Sequence, residues 1–450
     1  MNDSRLIQRP LSRRTLVRGI GAAGGAAMAG GLIAPARRVV AQEAVTLTIW
    51  DNFTRPVEST IVDTLNQEFQ DAHPGLTIER VTKSFDDLKA TARLALSADD
   101  GPDVVQINQG LSDMGAMVKA GVLRDLGPYA TQFGWDQKLS AGVIARNSFA
   151  EDGVTFGEGN LYGMPVTAEF IGVFYNKTKF ADLGVEVPAT FADYEALLAQ
   201  ALEAGEIPIA FGNLDAWPAI HNYGEIQNLW VDRATLDDFI FGRGDSTFAT
   251  PENEQAAAKL QAWVEAGYFT PDYAGIGYDD SWQAYADGQG VTMTTGSWIS
   301  GELFAKEVDA DFGFFLTPPE TAGTPKLSVA GTSMGFAIRE GSANPDLAAE
   351  YIDWLVSDRA VELWTEAQIV HIGVNAEAVE PGTIYADLVN AWTTLNETDT
   401  VGHYLDWATP TFYDTLTAAL QELLATAVTP AEFTQNVEED YAAYLAEKGA

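Results

Sequence analysis

The 450-residue chain carries 26 Lys/Arg against 64 Asp/Glu, a formal net charge of −38, with 46% hydrophobic residues and no cysteine. A field this negative repels nucleic acid and anionic membrane surfaces, and the missing thiols exclude disulfides and thiolate metal sites. The four histidines, His73, His221, His371 and His403, form no close-spaced pair, so no metal site and no other cofactor is expected.

In chain order, Ser12-Arg13-Arg14-Thr15-Leu16-Val17-Arg18 leads into a short apolar stretch rich in Gly and Ala, residues 19–33. A basic start, an apolar middle and a small-residue exit describe a secretory signal; a membrane span would need about 20 apolar residues. The arginine pair resembles a twin-arginine export signal, which is read by a receptor and does not anchor. Arg37 and Arg38 fit that route, and Val39-Val40-Ala41 is the expected cleavage site. Residues 1–41 hold seven of the 26 basic and one of the 64 acidic side chains, so the remainder carries 19 positive against 63 negative. With no cysteine to take a lipid, the exported chain is expected to lie free in a periplasm, with the twin-arginine translocase as its partner in transit. The remaining length exceeds one compact domain and suggests two lobes.

Val45-Thr46-Leu47-Thr48-Ile49-Trp50 is β-branched and apolar, as in a buried parallel strand. Ile61, Leu65 and Phe69 then follow at helical spacing up to His73-Pro74-Gly75. Residues 76–81 read as a second strand, and 86–98 as a helix with Leu88, Ala92 and Leu96 on one face. Gly101-Pro102-Asp103 breaks into a third strand, Val104–Ile107. Such alternation implies a parallel sheet wrapped by helices, with ligands beyond the carboxyl ends of its strands. That edge holds Asp51-Asn52-Phe53 and Asn108-Gln109-Gly110. Residues 207–211 read as a strand, 191–204 and 252–266 as helices, and the part from about 345 as mostly helical, with helices over 345–356, 359–367, 412–427 and 430–447.

Four motifs in order carry a family likeness. Gly101-Pro102-Asp103-Val104-Val105 follows an amphipathic helix; Leu161-Tyr162-Gly163-Met164-Pro165 precedes Phe174-Tyr175-Asn176-Lys177; Gly290–Trp298 ends in Gly296-Ser297-Trp298; and Gly331–Ile338 precedes Asn344-Pro345 and a helix. Together they resemble family 1 extracellular solute-binding proteins of ABC importers across essentially the whole exported chain. The resemblance implies an α/β, two-lobed type II periplasmic-binding-protein fold, with three crossings and a ligand cleft between lobes. By that analogy lobe 1 spans 42–167 and 319–371, and lobe 2 spans 170–316 and 376–450. It also implies a monomer that binds a sugar or oligosaccharide and delivers it to membrane permease subunits.

A sugar presents hydroxyls and flat C–H faces, so its site needs carboxylates, amides and aromatic plates. Trp298 matches a tryptophan that stacks on sugar in that family, Trp217 matches an aromatic position there, and Trp407, beside Asp406, lies in a loop that enters the cleft. Glu169 sits in the crossover, for ligand contact or a hinge hydrogen bond. Asp51, Asn52 and Phe53 stand between ligand contact and helix capping. Asn108 and Gln109 offer amides, and Gly331, Thr332 and Ser333 offer backbone and hydroxyl groups. Trp354 and Trp364 fall on helix faces that read as core, and His371 as structural. Two other readings stand beside this one. The same fold could hold a polyamine, a glycerol phosphodiester or another polar solute, since acids and aromatic rings also suit ammonium groups. A secreted glycoside hydrolase would need a carboxyl pair that the sequence does not single out.

Overall fold

Val45–Asp51 forms the expected strand, with Leu47, Ile49 and Asp51 turned inward. It pairs in parallel with Leu76–Thr82 and Val104–Ile107, while Gly335–Ile338 returns from far along the chain and pairs antiparallel with Val104–Ile107. The computed structural model describes residues 44–306, 311–376 and 379–448; the expected export signal and its cleavage site lie outside them. Helix Pro56–Ala72 starts at its proline, whose fixed φ and missing N–H suit a first turn, and it buries Ile61, Leu65 and Phe69. Helix Phe85–Leu96 is capped by Ser84 and buries Leu88, Ala92 and Leu96. Helices Pro345–Leu355 and Asp358–Glu366 complete this layer, with Tyr351, Ile352 and Trp364 in its core and Trp354 packed at the margin. Each fully buried large apolar side chain contributes roughly 1.5–3 kcal/mol.

The second sheet is built differently. Ala168–Asn176 lies between Thr292–Gly296 and Phe312–Phe315, and both pairings are antiparallel. The expected strand over 207–211 reduces to isolated bridges at Ile209. Pro208 has no N–H to give, so this edge holds on through bonds such as Val291 N–H to Ile207 O and Ala210 N–H to Thr292 O. Helices Phe191–Glu203, Pro218–Gln227, Pro251–Ala266, Phe412–Leu424 and Pro430–Lys448 pack around it. The first of these carries a reciprocal capping box between Thr190 and Asp193.

The chain crosses between the two sheets three times, and the crossing segments run side by side. Ala168–Phe170 pairs with Ala330–Thr332. On its other side Ala168 N–H donates to Val370 O, and Ile372 N–H donates to Val166 O. The Ser333 hydroxyl accepts from both Val166 and Thr167 N–H at 3.1 Å, which fixes two of these segments to each other. His371 is fully buried here, its ring held by Leu355 O and by the N–H of Gly373. This is the two-lobed type II periplasmic-binding fold. No described helix is long and apolar enough to cross a membrane.

Candidate functional site

A cavity of about 860 Å³, its mouth included, is lined from both lobes. Its first wall is the edge of the parallel sheet, with Asn52, Phe53, Gln106, Asn108 and Gln109, joined by Thr332, Ser333 and Met334 from the segment before Gly335–Ile338. Most polar groups here are already engaged. Gln106 accepts from Asn52 N–H at 2.7 Å and donates to Met334 O. Gln109 donates to Ser333 O at 3.0 Å, with the Thr332 hydroxyl and Asn147 at 3.4 Å. Asn108 donates to Asp113 and, across the cavity, to Asp406 at 3.4 Å. Phe53 packs against Trp364 and Phe336, with ring centroids 5.2 and 6.2 Å away, and reaches the cavity from the core side.

The second wall holds Glu169, Trp217, Ile220, His221 and Trp298. Trp217 precedes helix Pro218–Gln227, and His221 follows one turn later on the same face, the two rings 5.2 Å apart. Asn213 seats that helix by accepting from Ala219 N–H, and Asp215 accepts from Tyr278 N–H at 2.7 Å. Trp298 follows strand Thr292–Gly296. A Cβ on Gly296 would stand 2.0 Å from the Trp298 ring, so only glycine lets the indole lie back over its own backbone. Its N–H donates to the Tyr278 hydroxyl at 2.5 Å, and its ring meets Trp217 at 6.4 Å and 63°. Tyr404, Asp406 and Trp407 close a third side. Gly110 has φ +87, and a Cβ there would stand 2.6 Å from Trp407 Cα, so the two lobes meet backbone to backbone at this point.

Charge concentrates at one end. Arg55 Nη1 donates to Glu58 at 2.9 Å, and Arg55 Nε is buried without a partner. Glu169 faces this pair, and burial pushes its pKa to about 8, the Glu58 carboxyl adding to the rise and Arg55 opposing it. Burial raises Asp406 to about 6, against the pull of Lys89 and with a push from Asp113. Burial lowers His221 to about 3, so its ring is neutral. The arrangement presents two indole faces, a neutral imidazole and carboxyls of mixed protonation, suited to a ring-shaped polar solute with hydroxyls.

Of the residues singled out in the sequence, Asp51 and Gly331 do not line the cavity. The Asp51 carboxylate takes Arg80 Nε and Nη2 at 2.6 and 2.7 Å and the Phe53 N–H at 3.0 Å, and it is fully buried, so it braces the sheet. Gly331 lies in the crossing strand, where a Cβ would come within 3.2 Å of the Trp407 ring. Trp407 itself is 2% exposed and shows the cavity only a margin of its ring. Sequence reasoning missed Arg55, Glu58, Phe85, His221, Tyr404 and Tyr413, all in the lining. Arg55 was within reach, since it closes the same strand-end turn as Asn52 and precedes the helix-starting Pro56.

Residues 64–393 match the family model of bacterial extracellular solute-binding proteins. The chain is 19% identical to the multiple sugar-binding protein of Streptococcus mutans over 66% of its own length and 68% of the relative's. It is 22% identical to a maltodextrin-binding protein of Bacillus subtilis over 70% of each chain. Among solved structures, a chitin oligosaccharide binding protein superposes with a TM-score of 0.77 at 19% identity, covering 89% of this chain and all of the other, which establishes the shared fold.

Proposed function

The chain belongs to the bacterial extracellular solute-binding proteins, and we propose that it is the periplasmic binding component of an ABC importer, taking a sugar or oligosaccharide between its lobes. One observation carries the ligand class: Trp217 and Trp298 meet at 63° beside the unpartnered Glu169 carboxyl. Angled indoles offer C–H faces a seat, and the acid and amides offer hydroxyls partners. Relatives whose names carry sugars and maltodextrin support this reading. Asn52, Phe53, Asn108, Gln109, Thr332, Ser333 and Trp407 complete the proposed contacts. The lobes run 42–167 with 319–371 and 170–316 with 376–450, after an export signal over 1–41. The Asn108 to Asp406 contact bridges the two lobes, and contacts of this kind favour the closed, bound state. The closed monomer then docks on membrane permease subunits. It binds and does not hydrolyse: Glu58 is paired with Arg55 and Asp406 accepts from Asn108, so neither stands free to act with Glu169.

Arg55, paired with Glu58, is the single cation among the described lining residues. Thermal shift with maltotriose, chitotriose, spermidine and glycerol phosphate decides the matter, since stabilisation follows ligand concentration over Kd. A rise with a saccharide is expected. A rise with spermidine alone would overturn the assignment, and release of reducing sugar would restore the hydrolase.

A further inference from the structure

We propose that Glu169 meets its ligand as a neutral carboxylic acid, donating its O–H to a ligand oxygen, so that the site takes uncharged polyhydroxy solutes and rejects ammonium groups. The proposal deepens the carbohydrate reading and rests on it. Glu169 lies in strand Ala168–Asn176, its backbone paired with Gly331, and its side chain opens into the cavity. Among the described residues no protein group donates to that carboxyl. The cation that could stabilise its charge, Arg55, is bound to Glu58 at 2.9 Å, and Glu58 is 3% exposed with Glu302 bearing on it from the opposite lobe. An ionised Glu169, itself half-buried, would therefore stand near the buried Glu58 carboxyl with no donor to it among the described residues. Burial of an unpaired charge is resolved by taking up a proton.

Among the described lining residues no other group supplies positive charge at neutral pH. From helix Pro218–Gln227 comes His221, held neutral by burial. From the segment around Trp407 come Tyr404, raised well above its ordinary range by burial, and Asp406, which titrates at about 6. Tyr278, behind Trp298, is pushed up to about 12, also by burial, and Asp279 interacts with Arg55. With Glu169 itself near 8, about nine-tenths of it is protonated at pH 7. A protonated acid opening into the cavity is a donor that a ligand oxygen can accept from.

Calorimetry of the full chain with maltotriose or chitotriose between pH 7 and 9 tests this. Asp406, titrating at about 6, is about nine-tenths ionised at the lower limit, so the window reads chiefly Glu169. Affinity should fall about tenfold across it, and binding at pH 8, measured in buffers of differing ionisation enthalpy, should take up about half a proton per ligand. Glu169→Gln should abolish the decline, whatever its absolute affinity. Affinity that is flat or rising with pH, proton release on binding, or a decline that persists in Glu169→Gln overturns the proposal and leaves the carbohydrate assignment standing. Tight binding of spermidine overturns both. The free protein supplies a readout that needs no ligand: the Glu169 carboxyl ¹³C resonance, assigned by its loss in Glu169→Gln, should titrate near 8. A midpoint in the ordinary glutamate range refutes the neutral acid.

Discussion

The two walls of the cavity, one rich in amides and hydroxyls and the other in aromatic rings beside a carboxyl, do different work. On the parallel-sheet wall, Gln106, Gln109 and Ser333 turn their polar groups onto the protein's own backbone, and Asp51 behind them is closed off by Arg80. On the opposite wall no group among the described residues donates to the Glu169 carboxyl, and Trp217 and Trp298 line the space. Polar side chains at a strand's carboxyl end are thus as often the mortar of a site as its contact surface. Which of the two a residue is depends on partners far away in sequence.

Mutations that separate stability from affinity put this contrast at risk. The largest loss of stability belongs to the braced wall: Asp51→Ala leaves Arg80 partly buried beside only the exposed Asp63, and should cost about 3–5 kcal/mol in urea unfolding. If it left stability intact and removed ligand affinity, the assignment of Asp51 to the sheet would be wrong. On the open wall, Trp298→Ala should weaken saccharide binding by roughly 2 kcal/mol, about 30-fold by calorimetry, with a smaller change in melting temperature. Gly296→Ala should displace the same indole and weaken binding by roughly 1 kcal/mol, a sharper test because no contact atom is removed. Gln109→Ala should lower stability by about 1 kcal/mol, more than it lowers affinity, because it orphans Ser333 O.

The remaining prediction is a pH dependence. The pKa of Glu169 is raised from an ordinary 4.5 to about 8 in the folded protein. Its contribution to stability is therefore full below 4.5 and is lost as pH rises through 8. Between pH 5 and 8 the melting temperature should fall by roughly 1–3 °C more in the wild type than in Glu169→Gln. Equal slopes would place the carboxyl in ordinary solvent.

What could be read from the sequence followed local rules. Val104–Ile107 was bounded by Gly101-Pro102-Asp103 and filled with β-branched residues, and its limits came out as expected. Trp298 was marked by the resemblance of Gly290–Trp298 to a family motif, and the structure shows why its glycine matters, since the indole lies against Gly296. Helix limits shifted by a few residues at most where a Pro or Ser/Thr cap set them, as at Pro251–Ala266 and Pro345–Leu355. The rest depended on long-range placement. Asp51 looks like any strand-end acid until Arg80 is brought alongside from the neighbouring strand. Glu58 looks like an ordinary first-turn helix acid, which favours the helix dipole, and nothing local says that it pairs with Arg55 inside a cavity. His221 entered only as a potential metal ligand, because its aromatic neighbours Trp298 and Tyr404 come from remote segments. The antiparallel second sheet was hidden for the same reason, since periodicity does not reveal strand direction.

The three crossings bear on how the molecule moves. Bonds such as Ala168 N–H to Val370 O, Ile372 N–H to Val166 O and Ile171 N–H to Val329 O tie them into one narrow ribbon. Sliding one segment past another would break several of these at once, each contributing about 0.5–1.5 kcal/mol. Twisting the ribbon as a whole breaks none. A ribbon so tied resists sliding of one crossing past another more than it resists twisting as a unit.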